Sequence, residues 1–386
     1  MLNQNFMADS AAEVGVDKDL VDALLLRARQ EVDTGLLPSA QVALARHGKI
    51  VCFETFGDTP TDPLYCIFSA TKGITSAAAW LLIQEGKLDI NAKVIDYVPE
   101  FGNNGKELIT VEQLFTHTAG FPHAPFRPTI WNDHTARLKR FGDWTLNWEP
   151  GSRFEYHPTS SMWVIAEIIE RVSGLDYDKF IRNRISEPLG LDDLWVGTPT
   201  TQHDRVAEVT HVGEAMTSKD YVDLGIPEPP QTEVTEDALT SFNTSEIRQV
   251  PIPGGGGIMS AAEIALFYQA LMTGKNFEGE TIWQQSTLNH ALQVRTANLI
   301  DMLGGHKVNR ALGMVISGDQ KRNLRGFGHT NSAQAFGHGG AGGQLAWADP
   351  VTGISLGYCT NGHDRNPLRQ GRRGISISNR AAVCAL

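Results

Sequence analysis

A chain of 386 residues, 41% of them hydrophobic and 20% charged, has the composition of a globular protein and is long enough for one large two-lobed domain or two domains. Its 44 acidic residues outnumber its 33 basic residues, which gives a net charge of -11. An acidic surface repels nucleic-acid phosphates, so we exclude nucleic acid as an expected partner.

The N-terminus and the cysteines predict the compartment. The first ten residues contain neither the basic nor the apolar segment of a signal peptide, and no stretch reaches the ~20 apolar residues of a membrane helix. The four cysteines lack C-x-x-C spacing, and we interpret them as buried free thiols. These features predict a cytoplasmic protein without membrane contact. They give no oligomeric state.

The N-terminal quarter is predicted to contain a helix, two strands and a second helix, in that order. Helical spacing covers residues 17–35, and residues 40–46 and 49–56 are predicted strands joined by a short hairpin turn. Residues 69–85 form a predicted helix that is apolar almost throughout. We therefore expect this second helix to be buried inside the protein.

Helices and long connections fill the middle of the chain. The clearest helical patterns cover residues 111–116, 160–173 and 261–271. Between them, residues 120–148 and 198–253 are predicted to be irregular. Connections of that length in a globular domain are usually functional.

Strand character returns near the C-terminus. Residues 344–348 and 354–359 are predicted strands on either side of a turn, and residues 367–386 are a predicted closing helix.

Strands near both ends and helices between them predict one domain over residues 1–386. An α/β lobe is expected from about residues 1–85 and 300–386, with a helical lobe inserted at about residues 86–299. A cleft between two such lobes is a usual place for a ligand.

One short motif suggests a nucleophile. Ser69 and Lys72 lie three residues apart at the start of a predicted helix, and residues at that spacing share a helix face. The Lys72 amine can therefore reach the Ser69 hydroxyl, which needs a partner to remove its proton. The alternative is an N-cap serine followed by a solvated lysine. Burying an unpaired lysine in an apolar helix costs roughly several kcal/mol, which favours a catalytic pair.

Several further motifs follow in a fixed order and resemble a known family. They are Ser69-Ala-Thr-Lys72 and residues 114–122, 150–156, 165–174, 188–191, 253–260 and 337–340. In this order they resemble serine β-lactamases and penicillin-binding proteins, closest to the class C β-lactamase-like family VIII esterases. The resemblance implies a β-lactamase/transpeptidase-like α/β fold, with an antiparallel sheet flanked by helices and an inserted, mainly helical lobe. It implies no cofactor.

The second family element is Tyr-x-Asn, and Tyr156-His157-Pro158 stands in its place. The resemblance implies that Tyr156 is catalytic, because a nearby ammonium such as Lys72 would favour its phenolate. The position of the family Asn is taken by Pro158, which leaves one hydrogen bond to substrate or lysine unassigned. His157 is a candidate substitute that would contact substrate.

The third family element is Lys-Thr-Gly, and His338-Gly339-Gly340 occupies that place. The resemblance implies that these three residues bind substrate and that the backbone N–H groups of Ser69 and Ala341 form an oxyanion hole. His338 replaces a fixed cation by a group expected to titrate near neutrality. This change argues against a dedicated β-lactamase.

The aromatic residues of the predicted irregular stretch 120–148 have two interpretations. Trp131 and its aromatic neighbours form either the core of the helical lobe or an aromatic wall around an acyl pocket. We include Trp131 among the candidate substrate-binding residues.

Two other patterns carry no expected chemistry. The histidines do not have metal-ligand spacing, so no metal site is predicted. Ser355 lies in a G-x-S-x-G match, but inside a predicted strand rather than on a strand-to-helix turn.

The predicted activity is hydrolysis of carboxylic esters through a Ser69 acyl-enzyme, with Lys72 and Tyr156 handling the proton and a small-molecule ester or amide as substrate. The alternatives with the same site are a D-peptidase or amidase, an acyl transferase (transesterase), and a weak β-lactamase side activity. A binding protein that kept the fold without the activity is the alternative from a different class.

Overall fold

The computed structural model describes residues 3–228, 234–296, 298–302 and 304–386. The strands in these ranges are β1 (Ser39–Arg46), β2 (Lys49–Gly57), β3 (Tyr65–Cys66), β4 (Trp195–Val196), β5 (Thr210–Val212), β6 (Gly257–Met259), β7 (Val315–Ile316), β8 (Phe336–Gly337), β9 (Leu345–Asp349), β10 (Ile354–Thr360) and β11 (Gly362–Asp364).

The α-helices in the same ranges are α1 (Lys18–Asp33), α2 (Thr71–Gln84), α3 (Val111–Phe115), α4 (His134–Asp143), α5 (Ser160–Ser173), α6 (Tyr177–Ile181), α7 (Glu187–Leu189), α8 (Ser218–Leu224), α9 (Glu236–Thr240), α10 (Ser245–Arg248), α11 (Ala261–Thr273), α12 (Gln285–Ala291) and α13 (Pro367–Ala382). Two 3-10 turns, Phe68–Ala70 and Ala341–Gly343, matter for the site.

The largest sheet joins the two ends of the chain. Its strand order is β2-β1-β10-β9-β8-β7, and every neighbouring pair is antiparallel. The β1–β2 hairpin turns at His47 and Gly48, whose φ angles of 54° and 77° are those of a two-residue turn with both residues left-handed. Strands from near both ends of the chain thus pair within one sheet.

Both faces of this sheet are buried, and the strand residues alternate between two cores. Val42 and Leu44 of β1 lie in a core shared with α1 and α13. Ala43 and Ala45 of the same strand face the opposite core, which contains α2 and α11. The period of two in a strand thus places one hydrophobic set on each side.

Helix α11 packs on the sheet, which corrects the predicted lobe boundary. The Ala261 N–H donates to the Gln41 side chain over 2.7 Å, and the Ser355 hydroxyl donates to the Ala265 carbonyl over 2.7 Å. A Cβ added at Gly357 would lie 2.0 Å from the Ala261 carbonyl oxygen, so only glycine allows this approach. α11 therefore belongs with the α/β lobe, although it lies inside the range predicted for the helical lobe.

The two stretches predicted to be irregular contain short helices, which is a second correction. α4 lies within residues 120–148, and α8, α9 and α10 lie within residues 198–253. Each begins at a side-chain N-cap, provided by Asp133, Thr217, Thr235 and Thr244. Helices of four to ten residues present too few turns to show a 3.6-residue period, so their caps were the readable signal.

A small sheet sets up the start of α2. Strands β3 and β4 both pair antiparallel with β6, so residues 65–66 and 257–259 lie side by side. The chain leaves β3, makes the 3-10 turn Phe68–Ala70 and enters α2, of which nearly every residue is buried, as predicted. Among the helices of the described ranges, none combines the length and apolar character needed to cross a bilayer.

Candidate active site

Ser69 occupies a constrained turn between β3 and α2. The residue before it, Phe68, has a φ of 46°, in the left-handed region that non-glycine residues rarely enter. The Phe68 ring packs edge-on against Phe242 and His363, with centroid distances of 5.0 and 4.9 Å. Tertiary packing therefore holds the strained residue in place and fixes the direction of Ser69.

Lys72 is fully buried and points at the serine. Its ammonium Nζ lies 3.2 Å from the Ser69 Oγ, and it donates to the carbonyl oxygens of Pro158 (2.7 Å) and Gly254 (2.8 Å). These two hydrogen bonds offset part of the free energy lost when the charge is removed from water. The hydrogen bond left unassigned by the missing family Asn is thus made by the main chain of Pro158.

The glycine-rich segment passes close under α2. The Thr71 hydroxyl accepts a hydrogen bond from the Gly257 N–H over 2.8 Å, and a Cβ at Gly257 would lie 2.7 Å from that hydroxyl. A Cβ at Gly254 would lie 3.4 Å from the Lys72 Nζ. These glycines let the backbone come close to the lysine.

Tyr156 completes the group around Ser69. Its hydroxyl is shielded from solvent, and the Lys72 Nζ lies 5.1 Å from its ring centroid. Burial raises the pKa of the phenol, but the Lys72 ammonium, the neighbouring Ser69 hydroxyl and the charge of Arg310 together lower the pKa below 10.0. The hydroxyl has no partner of ideal geometry, and catalytic hydrogen bonds commonly tighten only when substrate binds.

Arg310 is a buried cation that the sequence reasoning missed. Its guanidinium Cζ lies 5.3 Å from the Tyr156 ring centroid, and its Nη1 donates to the Nε2 of His338 over 3.2 Å. No motif marks Arg310, which is far from the other site residues in the chain. The strand that follows it, β7, has only two residues and could not be predicted, so no local signal identified Arg310.

His338 does not titrate near neutrality, which corrects the prediction for it. Because Arg310 can only donate, the His338 Nε2 accepts and its Nδ1 donates to the Gly339 carbonyl over 2.7 Å. Burial, then the charges of Arg310 and Lys72, hold the pKa of His338 well below 6.5. His338 is a neutral imidazole that orients the strand end beside Ser69, and Arg310 provides the fixed positive charge.

The end of β8 lies against the Ser69 turn. A Cβ at Gly340 would lie 2.1 Å from the carbonyl oxygen of Ile67, so this strand end touches the backbone just before the serine. Ala341 follows in a 3-10 turn and lines the same cavities as Ser69. The structure therefore brings Gly339, Gly340 and Ala341 together with Ser69, Lys72, Tyr156 and His338.

His157 faces away from the cleft, which contradicts a substrate contact. Its ring is fully buried, its Nδ1 donates to the Glu155 carbonyl over 2.7 Å, and its Nε2 accepts from the Phe121 N–H over 3.2 Å. Burial lowers its pKa to about 3, so it stays neutral. The sequence prediction failed because alternate residues of an extended segment point to opposite sides.

Trp131 also lies outside the cleft. Its indole packs on Trp163 at a centroid distance of 5.1 Å and under the Arg137 guanidinium at 3.9 Å. On this side, the aromatic wall of the cleft includes Phe126 and Trp163, whose rings lie 4.5 Å apart. Trp131 supports this wall from behind and is not itself a substrate contact.

Two cavities meet at Ser69. The smaller, of about 270 Å³, is lined mainly by apolar side chains of the helical part. The larger, of about 680 Å³, lies between the end of β8 and the N-terminal turns of α13. Ser69, Pro158 and Ala341 line both cavities, whereas Tyr156, Arg310 and His338 line the larger one alone.

Within the described ranges, no three His, Cys, Asp or Glu side chains form a group that could hold a metal ion. All four cysteines are buried free thiols, and burial raises the pKa of Cys66, near the nucleophile, to about 12. Ser355 donates to a main-chain carbonyl inside β10 and does not reach the cleft.

The fold and this cluster of residues define a hydrolytic enzyme. The chain belongs to the β-lactamase family, because the Beta-lactamase family model matches residues 26–376. The family resemblance predicted from the motif order is thereby confirmed.

Two curated relatives have esterase names. The "Esterase/beta-lactamase LipL" of Mycobacterium tuberculosis (strain ATCC 25618 / H37Rv) is 25% identical, over 78% of this chain and 70% of its own length. The "Esterase EstB" of Burkholderia gladioli is 24% identical, over 70% of this chain and 74% of its own length.

Solved structures confirm the predicted fold class. A penicillin-binding protein homologue from Caulobacter crescentus has a TM-score of 0.76 and 27% identity, covering 95% of this chain and 99% of that one. A family VIII carboxylesterase has a TM-score of 0.77 and 25% identity with the same coverage.

Proposed function

We propose that this enzyme hydrolyses carboxylic esters through an acyl-enzyme on Ser69. The observation that carries the proposal is the buried Lys72 ammonium 3.2 Å from the Ser69 hydroxyl, with Tyr156 beside both. A serine hydroxyl becomes a nucleophile when a neighbouring group takes its proton. Lys72 is fully buried and donates to two main-chain carbonyl oxygens while it faces a serine hydroxyl. A buried charge held in this way beside a nucleophile is typical of a catalytic site.

In the acylation step, the Tyr156 phenolate takes the Ser69 proton while the Oγ attacks the ester carbonyl carbon. The Lys72 ammonium donates to two carbonyl oxygens and lies beside both Ser69 and the Tyr156 ring, so its positive charge stabilises the phenolate. When the carbon–oxygen bond to the alcohol breaks, the departing alkoxide receives the proton from Tyr156. An acyl group on Ser69 and a free alcohol result.

In the deacylation step, a water molecule replaces the alcohol. The Tyr156 phenolate takes a proton from the water, whose oxygen attacks the acyl carbon. The bond to Ser69 then breaks and the proton returns to the serine oxygen. The two steps together consume one ester and one water and release one carboxylic acid and one alcohol.

The N–H groups of Ser69 and Ala341 are the proposed oxyanion hole. Gly340 brings the two backbone segments into contact, and both residues line the same cavities. Donors of this kind typically lower the barrier by ~3–4 kcal/mol because the charge on the oxygen develops only in the transition state.

An ester is favoured over a β-lactam by the names of the relatives. EstB and the family VIII carboxylesterase have esterase names alone, and LipL is named both an esterase and a β-lactamase. The cytoplasmic location and the absence of nucleic-acid and membrane partners remain predictions from the sequence.

The test combines turnover and covalent labelling. We expect the wild type to hydrolyse p-nitrophenyl butyrate and to bind one fluorophosphonate per chain by intact mass. We expect Ser69→Ala to lose both. Ser355→Ala is the matched control, because Ser355 lies in the competing G-x-S-x-G sequence. Labelling of Ser69→Ala, or no labelling of the wild type, would contradict the proposal.

A further inference from the structure

The two cavities that meet at Ser69 differ in whether the proposed proton donor lines them. Ser69 and Ala341, which hold the reacting carbonyl in the proposed mechanism, line both. Tyr156 lines the larger cavity and not the smaller one. The cleft therefore has one side with the proton donor and one side without it.

This asymmetry orients the substrate. The step that releases the alcohol needs Tyr156 to hand a proton to the alcohol oxygen, so that oxygen must lie within about 3 Å of the phenol. The alcohol then extends into the larger cavity. The acyl group, on the opposite side of the carbonyl carbon, extends into the smaller one.

The smaller cavity is built for an apolar group. Its apolar walls are Phe126, Trp163, Leu239, Phe242, Ile247 and Ile252, and none of its described lining residues is charged. Its volume of about 270 Å³ lies just below the range of ~300–1,000 Å³ in which pockets bury drug-sized ligands. A charged acyl group would lose its hydration there without finding a partner.

The larger cavity has more room and also contains charged groups. Its volume is about 680 Å³, and its apolar lining includes Leu324, Leu345 and Leu368. Arg310 and Arg325 line it as well, and no carboxylate is present among its described lining residues. It has room for a bulkier alcohol and hydrogen-bond donors for polar atoms on that alcohol.

We propose that the smaller cavity is the acyl pocket and the larger cavity the alcohol site. The preferred substrates are then esters of small to medium apolar carboxylic acids with larger alcohols. The inference rests on the proposed ester hydrolysis and adds the substrate class and its direction in the cleft.

Two glycines allow each cavity to be filled separately. Gly255 lines the smaller cavity and Gly371 the larger one, and a Cβ added at either residue meets no atom within 4 Å. Neither has a φ in the left-handed region, so a side chain imposes no backbone strain there. Gly255→Leu and Gly371→Leu are therefore a matched pair of variants with opposite expected effects.

The readout is the ratio of kcat/KM for p-nitrophenyl hexanoate to that for p-nitrophenyl acetate. We expect Gly255→Leu to lower this ratio at least about tenfold, since one methylene of misfit in an apolar pocket changes selectivity by ~10–200-fold. We expect Gly371→Leu to keep the ratio within about twofold and to lower the rate for benzyl butyrate relative to methyl butyrate.

A third variant tests the acyl pocket by enlarging it, and so remains informative if the glycine variants fail to fold. Leu239 is a half-buried residue of the acyl-pocket wall, so Leu239→Ala enlarges the pocket without adding a side chain. We expect it to raise the ratio for octanoate over acetate. Thermal melting and fluorophosphonate labelling of Ser69 report whether each variant is folded.

The outcomes separate the two proposals. If the wild type turns over no ester and Ser69 is not labelled, the proposed function itself is wrong. If the wild type is active but Gly371→Leu, and not Gly255→Leu, changes the acyl-length ratio, the cavities are assigned the wrong way round. An active Gly255→Leu with an unchanged ratio would also overturn the assignment.

Discussion

Tyr156 lies between two buried cations, and the two act on it from different elements. Lys72 comes from the helix that begins at the nucleophile, and Arg310 from the segment before β7. Both charges favour the phenolate, which is the form that accepts a proton. Because burial works in the opposite direction, the basicity of Tyr156 is set by a balance that one substitution can shift.

The first prediction concerns Arg310 and pH. The phenolate is the active form, so kcat/KM rises with pH until Tyr156 is ionised. Removing the Arg310 charge raises the pKa of Tyr156, and Arg310→Met should therefore move this rise to higher pH. Arg310→Lys keeps the charge and is expected to restore most of the shift. The pH profile of kcat/KM measures it, and an unmoved profile in Arg310→Met would argue against the electrostatic role.

The residues of the site were predictable to different degrees. Ser69 and Lys72 follow from spacing on one helix and from the apolar sequence around the lysine. Tyr156 follows only from the order of motifs, since a tyrosine alone has no signature. His157 and Trp131 were chosen by residue type, and the direction in which a side chain points depends on the tertiary structure.

At the scale of elements, the site depends on the contact between the end of β8 and the turn before α2. Gly340 makes that contact, because a Cβ there would lie 2.1 Å from the Ile67 carbonyl oxygen. At the neighbouring Gly339 the nearest atom would be 3.2 Å away. The two positions therefore offer a graded test of how closely the oxyanion donors must be held.

The second prediction is that Gly340→Ala lowers kcat by about 10²–10³-fold, the usual effect of losing one oxyanion donor. The strand end would move away from Ser69 and carry Ala341 with it. Gly339→Ala should cause a smaller loss. Steady-state kinetics with p-nitrophenyl butyrate, alongside thermal melting, checks both. Equal losses in the two variants would disprove this explanation.

The third prediction concerns Glu263 in the first turn of α11. Its carboxyl is buried, and burial, then the charge of Asp193, raises its pKa from 4.5 to about 8. A raised pKa means that the stability from this group is complete below about pH 4.5 and declines as pH rises to about 8. Its contribution to the unfolding free energy should fall by roughly 1.4 kcal/mol per pH unit in that window.

Glu263→Gln removes that dependence, so its stability relative to the wild type should increase steadily between pH 5 and pH 8. Urea denaturation at several pH values measures the difference. Glu278→Gln, at an exposed position, is the control and should follow the wild type. A constant difference between Glu263→Gln and the wild type would mean that the carboxyl is ionised throughout.

The elements themselves were predicted where the sequence is strongly periodic. α1, α2, α5, α11, α13 and the four long strands fall within a few residues of their predicted positions. The short strands β3, β4, β6, β7 and β8 have two or three residues, which is too few for an alternating pattern. Their pairing comes from long-range contacts that no local window contains.

At the scale of the molecule, the first and last helices close the fold together. Arg373 of α13 is 1% exposed, and its guanidinium forms an ion pair with Glu31 of α1 and lies 3.7 Å from Asp364. Arg27 also donates to Glu31, over 2.7 Å. A buried ion pair of this kind holds the two ends of the chain against the same face of the sheet.

The fourth prediction is that Arg373→Met destabilises the protein by about 1–3 kcal/mol, because it removes one ion-pair partner from Glu31 and from Asp364, which keep Arg27 and Arg369. Urea denaturation monitored by tryptophan fluorescence measures the loss. Arg380→Met on the same helix removes only hydrogen bonds to Ser376 and should cost much less. A loss below about 1 kcal/mol in Arg373→Met would show that the ion pair is dispensable.

The way Lys72 is held has a consequence for how this enzyme tolerates mutation. The main-chain carbonyl oxygens of Pro158 and Gly254 accept the hydrogen bonds of Lys72. A carbonyl oxygen belongs to the peptide unit, so it remains when the side chain of its residue is substituted. Mutational scanning at those two sites should thus reveal tolerance limited by shape alone. We expect displacement of the ammonium to need an insertion or deletion that moves one of the two loops, since a single substitution keeps both carbonyl oxygens.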